Sequence, residues 1–473
     1  MKICPTRAIR VHDGLAHVNR HKCIDCGACL DACTSHAVGV RTSRTSDLKD
    51  FKYTVALPSL TLYTQFGRDA HPGQVQRALR TIGFDACYDV SLMCDMVGHA
   101  TDAYLAEHHG PWPLISVTCP AVVRLVQIRY ADLLPHLVRI ETPRELAAKL
   151  CRRRASARLG LAPEQIGIFY VSPCAAMIHS ITDPVGLGES NLDGAFSISE
   201  LYGPLLKAIK ADHGSEEDTH LSLAGLSWAQ AGGEIYGMRN ANTMMVTGLR
   251  DVLRVFDRIE SGVFRDVDFI EASICADGCL SGQLTVEGRY AARRSLRQIA
   301  HRLRDESAVS QEEVHRLMHE HFFELEQEVR ARGVEPVRDL RQAVISRRER
   351  VALRARLPGK NCGACGAPDC DVLAEDIQHG EADLGDCPMV RLASYEAAAR
   401  AGQGQGAAAA SPAPRARSSE RRRAEASGGE GGPKSVPPGS KSIPPGSKSI
   451  PPGRSSKVLS RAAKRAAQKG SSP

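Results

Sequence analysis

Thirteen of the sixteen cysteines in this 473-residue chain fall into three groups with metal-ligand spacing. The first holds Cys4 and the run Cys23, Cys26, Cys29 and Cys33, a C-x2-C-x2-C-x3-C pattern. The second is spread out: Cys119, Cys174 and the C-x3-C pair Cys275 and Cys279. The third is Cys362, Cys365, Cys370 and Cys387, spaced C-x2-C-x4-C-x16-C. Only Cys87, Cys94 and Cys151 stand apart, and they read as small hydrophobes within helices. Thiolates so grouped grip soft transition metals, in an iron–sulfur cube or around a tetrahedral zinc ion. Structural disulfides are not expected. The sequence has no apolar run long enough to span a bilayer and no signal-peptide apolar region, so a cytoplasmic chain with reduced thiols is the expectation.

The Cys23–Cys33 run has the spacing of bacterial ferredoxins, which suits a [4Fe–4S] cube better than a zinc finger. In that pattern the first three thiolates hold one cube and the fourth serves a neighbouring cluster. Cys4, followed by Pro5, resembles the Cys-Pro that closes the other half of a two-cluster ferredoxin. One cube is therefore assigned to Cys4, Cys23, Cys26 and Cys29. Cys33 is left over, and its natural companions would lie upstream of Met1, as though the module began part-way through.

These ligands need elements to carry them. From about residue 55 to 285 short apolar stretches alternate with helical patterns. Leu60–Gly67, Leu114–Cys119, Gly167–Cys174, Thr243–Gly248 and Phe269–Cys275 read as buried strands. A helix is expected from His71 to Arg80, with Pro72 in its first turn. Such alternation implies an α/β architecture with largely parallel sheets. Cys119, Cys174 and Cys275 each close a predicted strand, the sheet edge where sites assemble. Residues 311–356 read as long charged helices, with His315, His319 and His321 on their surfaces. From Ala401 the chain is rich in Ala, Gly, Ser, Pro and Arg and is expected to be disordered. It carries three heptads (Lys434–Ser440, Lys441–Ser447, Lys448–Arg454) that read as extended polyproline segments. Fourteen Lys/Arg against three Asp/Glu put 401–473 at +11, so the other 400 residues carry −4 of the total +7. The body is thus no obvious nucleic-acid surface. The tail's charge suits an acidic partner, nucleic acid or an anionic membrane.

The segments Ile115–Pro143, Tyr170–Ser180 and Glu271–Gly282 resemble the three signature motifs of the iron-only ([FeFe]) hydrogenase large subunit. The likeness rests on Cys119-Pro120, Leu133-Leu134-Pro135, Pro173-Cys174, and Glu271 ahead of Cys275 and Cys279. It implies a [4Fe–4S] cube held by Cys119, Cys174, Cys275 and Cys279 between two lobes, with Cys279 as a bridge to a two-iron subcluster. Several family features are changed. Thr118 stands where a proton-relaying cysteine is usual, Met177 where a lysine is, and Ser180 where a glutamate is. Ala100 and Thr101 occupy the aligned acidic positions, and the Gly-rich run is reduced to Leu280-Ser281-Gly282-Gln283. A proton-coupled catalyst needs titratable groups near its metal, so these departures argue against fast hydrogen turnover and against the two-iron unit.

The third cysteine group resembles the small four-cysteine module of membrane electron-transfer complexes and corrinoid iron–sulfur proteins, with zinc as the rival occupant. Gly363 and Gly366 permit a tight backbone around its sulfurs. Gly186–Asn191 only half resembles a dinucleotide loop, and no Walker-type loop is present. Asp183, His179 and His99 are given hydrogen-bonded structural roles.

The expected protein is a two-lobed, parallel-sheet hydrogenase-like domain flanked by two small iron–sulfur modules and a disordered tail. The expected units are 1–45, 55–305, a helical connector 306–354, 355–392 and the tail 401–473. About three [4Fe–4S] clusters would serve electron transfer or redox and hydrogen sensing, reporting to a redox partner or separate signalling protein. The alternatives are a catalytic hydrogenase and a cluster-assembly scaffold.

Overall fold

The computed structural model describes residues 1–402 except 68–69, 213, 215–220, 239–240, 304–308 and 333–339. The tail expected to be disordered lies, from residue 403 on, outside the described residues; the helix Pro388–Gly402 takes in its first two positions.

At the N-terminus β1 (Ile9–His12) and β2 (Leu15–Val18) form an antiparallel hairpin, with Ile9 opposite Val18. Asp13 and Gly14 both have positive φ, as the tightest hairpin turns require. The body is α/β, with two parallel sheets. The first has the order β4-β3-β6-β7, built from β3 (Tyr53–Pro58), β4 (Ala86–Cys87), β6 (Ile166–Ser172) and β7 (Gly194–Ser197). Every residue of β6 is buried, the continuous apolar run of a strand covered on both faces. The second sheet has the order β5-β9-β8, from β5 (Leu114–Ile115), β8 (Thr243–Thr247) and β9 (Phe269–Ser273). A short β10 (Ala276–Cys279) follows β9.

Four expectations are corrected. Leu60–Thr64 is a 3-10 helix, and the strand is the preceding Tyr53–Pro58; Pro58 ends the strand and the chain turns at once to meet the core with Leu60, Leu62 and Tyr63. The Leu114–Cys119 strand is only two residues long: Ser116 N–H still donates to Ile270 O at 3.0 Å, but the chain then leaves the sheet for the helix that Pro120 opens. Cys87 lies in β4, not in a helix, whereas Cys94 and Cys151 are helical. The first charged helix is short, Gln311–His319; the second runs Leu340–Ala355. After His321, at positive φ, the chain buries Phe322 and Phe323 and runs as an irregular belt. Its backbone bonds Glu141 and Arg139 through Phe323 and Leu325 (2.7 and 3.1 Å), then Gly186 and Gln127 through Gln327 and Arg332 (2.9 and 2.8 Å). Burying the two phenylalanines in the first core outweighs continuing a solvated helix.

Candidate metal centres

The four central cysteines meet where the carboxyl ends of the two sheets face each other. Cys174 follows β6 and caps the helix Ala175–Thr182; Cys119 follows β5 and caps the helix Pro120–Arg129. Cys275 lies between β9 and β10, and Cys279 ends β10. Pro120 fits because a helix's first N–H has no internal partner. Gly282 fixes the loop after Cys279: a Cβ there would lie 2.3 Å from the carbonyl oxygen of Pro173, and Leu284 N–H donates to that same oxygen at 2.9 Å. Burial raises the Cys174 thiol to about 11, with Cys119 adding to the rise, and Met177 N–H opposing it. Burial pushes Cys275 and Cys279 further up, and in both cases Cys174 and Cys119 add like-charge repulsion. Four thiols so crowded ionise together only if a cation sits among them.

A cavity of about 430 Å³, counting its open mouth, lies against Cys279. Its wall includes Ser59, Thr61, Cys94, Thr118, Arg144, Tyr170, Met177 and Trp228. Arg144 is 7% exposed and donates through Nη2 to Ser180 Oγ at 3.1 Å, while its Nε has no hydrogen-bond partner. Ser59 Oγ and Thr61 Oγ1, also buried, are unpartnered too. Buried donors left without acceptors are costly, so three on one wall mark a place for an acceptor-bearing group. Pro143 and Arg144 open the 17-residue helix Pro143–Leu159, whose N-terminal end favours negative charge. Cys94 is a buried apolar thiol, but it borders this cavity as well.

Two carboxyls stand behind Thr118. Glu234 accepts from Ser116 Oγ (2.9 and 2.7 Å to its two oxygens) and from Thr118 Oγ1 (3.3 Å). Glu271 accepts three backbone N–H groups, from Gly232, Glu234 and Ile235, at 2.8–3.3 Å. Burial, reinforced by Glu271, raises Glu234 to about 8. Burial raises Glu271 also, against those three N–H bonds. Burial beside Glu271 thus favours the protonated form of Glu234.

In the N-terminal group, burial raises Cys23 to about 12 and Cys26 to about 11, and it raises Cys29; Cys4 adds repulsion to all three. Cys33 has neighbours of its own. Its thiol instead meets Ser35 Oγ (3.5 Å) and Ala37 N–H (3.3 Å), and the Ser35 bond lowers it. The third group shares one small core: Cys365, Cys370 and Cys387 pack with Leu357, Val372 and Leu373, and Cys362 and Cys387 both act on Cys365. All sixteen cysteines are free. Among the described residues no three His, Cys, Asp or Glu side chains close on a single ion, and no helix is long and apolar enough to cross a membrane.

A family profile described as the iron only hydrogenase large subunit, C-terminal domain, matches residues 52–233, and an Fe-S cluster profile matches residues 357–389. Iron hydrogenase 1 of Clostridium pasteurianum is 26% identical over 209 residues, 43% of this chain and 35% of that protein. The chain is a hydrogenase large-subunit-like protein with an iron–sulfur domain. It spans only about a third of its clostridial relative's length. One component of the Na(+)-translocating ferredoxin:NAD(+) oxidoreductase complex of Acetobacterium woodii is 54% identical over 37 residues, 8% of this chain and 11% of that one. An [FeFe]-hydrogenase structure from Chlamydomonas reinhardtii superposes with TM-score 0.48 at 14% identity, over 61% of this chain and 98% of that chain.

The hydrogenase profile stops before Cys275 and Cys279, which the fold brings back to Cys119 and Cys174. Elsewhere, His179 Nδ1 lies 3.3 Å from Asp25, Asp183 pairs with Arg124 and Arg332, and His99 lies 3.6 Å from Asp95. Sequence reasoning missed Arg144, Ser59 and Thr61. It found no donor at Met177, whereas donors come from the helix Pro143–Leu159 and from the segment that follows β3. Glu234 was missed as well, and no spacing pointed to it.

Proposed function

We propose that this hydrogenase-like chain holds a [4Fe–4S] cube in each of three sets: Cys4/Cys23/Cys26/Cys29, Cys119/Cys174/Cys275/Cys279 and Cys362/Cys365/Cys370/Cys387. It works in a reducing, cytoplasmic setting by one-electron transfer, reporting redox state or hydrogen to a separate protein. The observation that carries this reading is the gathering of four half-buried thiols, with like-charge repulsion among them, at the facing edges of two parallel sheets. A bound cube supplies reversible one-electron chemistry. The residues fit it, since its irons bring the positive charge that these thiols lack.

The cavity beside Cys279 fits a further group with acceptor-rich, anionic ligands, of the kind a two-iron unit carries. Arg144 Nε, Ser59 Oγ and Thr61 Oγ1 would orient it, and Met177, Tyr170 and Trp228 would exclude water. Glu234 favours a second reading, catalysis of H2 oxidation or formation. Burial favours its protonated form, Thr118 is hydrogen-bonded to its carboxyl, and Thr118 borders the cavity. Infrared spectra after anaerobic co-expression with hydrogenase maturases test the two-iron unit through iron-bound CO and cyanide bands. Turnover of H2 with a viologen dye then separates catalyst from sensor. Bands with negligible turnover support sensing, and bands with rapid turnover support catalysis. Reducible cubes without such bands favour electron transfer or cluster assembly. Protein with zinc or no metal would overturn the proposal.

A further inference from the structure

The two small modules lie at opposite ends of the sequence, yet they interlock. Arg10 on β1 makes a two-pronged ion pair with Asp376, Nε to Oδ2 at 2.6 Å and Nη2 to Oδ1 at 2.8 Å. Arg10 is 9% exposed and Asp376 6%, so this is a buried pin and not a surface contact. Lys22, next to Cys23, pairs with Glu375 at 2.7 Å, and Arg7 pairs with Asp369, next to Cys370, at 3.1 Å. Val11 N–H donates to Gly366 O at 2.9 Å. A Cβ on Gly366, whose φ is +87°, would sit 2.0 Å from the Val11 carbonyl oxygen, so the approach is possible only with glycine.

The N-terminal module is bound just as closely to the body. Ile24 is buried in the second lobe's core, where Cys26 and Cys119 pack against the same cluster. Asp25 faces Arg124 and His179. Gln283 spans the seam: its Nε2 donates to Cys275 Sγ at 3.5 Å, and its side chain lies where a Cβ on Gly27 would fall, at 2.6 Å. Among the described residues, the side-chain and backbone bonds that leave the C-terminal cysteine module run to residues 7–22 or to the helix Leu340–Ala355. Cys362 is the one exposed cysteine of the three sets.

We infer that the three sets form an ordered wire, with the C-terminal set as the outer port, the N-terminal set as the obligatory middle link, and the central set as the inner end. This rests on the reading of each set as a cluster site. Each step moves one electron from a donor set, which is oxidised, to the next, which is reduced; no bond forms or breaks. The electron comes from an external one-electron carrier docked at the Cys362 face, or leaves to it in reverse. The Arg10–Asp376 pin keeps the outer and middle sets together, and Gln283 bridges the middle and inner ones.

The test uses the full chain loaded anaerobically with iron and sulfide, with reduced ferredoxin as a bulky donor. Freeze-quenched electron paramagnetic resonance follows each set. Removing the middle set with Cys23→Ser/Cys26→Ser should slow reduction of the central set by an order of magnitude or more, while the C-terminal set is still reduced quickly. Magnetic broadening of the C-terminal signal should vanish in that variant and persist in Cys174→Ser. Because the double variant risks misfolding, Asp376→Ala provides a milder break. It should slow transfer from outer to middle set, and Asp376→Glu should restore it. Central reduction that is equally fast without the middle set, or broadening that depends on Cys174, would overturn the order while leaving the cluster reading intact. Wild-type protein without iron would overturn both.

Discussion

Cys119, Cys174, Cys275 and Cys279 are delivered by strand ends from two different sheets, whereas Cys362, Cys365, Cys370 and Cys387 come from one segment, 362–387, folded around a core of a few residues. The central site exists only after long-range parallel pairing is complete, which is slow in folding terms. The outer site is local, and metal can supply much of what its small core lacks. The contents differ as well. Beside the central thiols lies a cavity with three donors that have no partner among the described residues, and behind it a carboxyl whose protonated form burial favours. The outer module instead turns its polar groups to its neighbour through ion pairs. One region surrounds a cavity, and the other makes contacts with its neighbour.

The contrast is tested most severely by ligand removal. Cys174→Ala should abolish the central cluster and leave the outer two, whereas Cys370→Ala should cost only the C-terminal one. Iron and sulfide analysis with paramagnetic resonance reads both. If either change emptied every site, the regions would not be separable. Next, Asp376→Ala leaves the Arg10 charge buried and unpaired. A loss of about 3–5 kcal/mol in the stability of the joined modules is expected, seen as earlier thermal unfolding of that part with the α/β body unchanged. Arg144→Leu should weaken retention of a group in the cavity by about 10–100-fold. Infrared band intensity per central cube measures this, and unchanged retention would remove Arg144 from the site.

A smaller effect concerns pH. A carboxyl whose folded value is raised favours the fold while it is protonated. The Glu234 contribution is therefore complete below the ordinary value of 4.5 and is lost as pH rises toward about 8. Glu234→Gln should flatten that decline in unfolding temperature measured between these limits, and an identical slope in both proteins would contradict it. The smallest effect is expected at the surface. Breaking the exposed Lys149–Glu326 pair (3.4 Å) with Glu326→Gln should change stability by less than about 1 kcal/mol.

Much of the grouping of the cysteines in space was legible because cysteine spacing is chemical information in itself. Cys4 could be grouped with Cys23, Cys26 and Cys29, and Cys33 set aside, before any fold was known. β6 and β9 were legible because buried parallel strands are continuous apolar runs; β8, read as buried too, is an edge strand with only Val246 buried and Met245 exposed. Leu60–Thr64 misled for the same reason: it is as apolar as a strand, but Pro58 ends the ladder just before it. The belt after His319 misled because its charges follow a helical rhythm, while Phe322 and Phe323 are drawn into the core. Arg144 and Glu234 were invisible for a different reason. Each matters only through neighbours more than thirty residues away in the chain, Ser180 for one, Ser116 and Thr118 for the other. The Arg10–Asp376 pin spans most of the described chain and leaves no local trace.

The belt through residues 322–332 has a mechanical consequence. It is stitched to Arg139 and Glu141 at one end and to Gln127 and Gly186 at the other, so the halves of the body are buckled from outside. A swing wide enough to admit a bulky inorganic cargo between them must first undo these stitches and lift two aromatic rings out of their sockets. The belt is thereby a strap that resists any parting of the two halves.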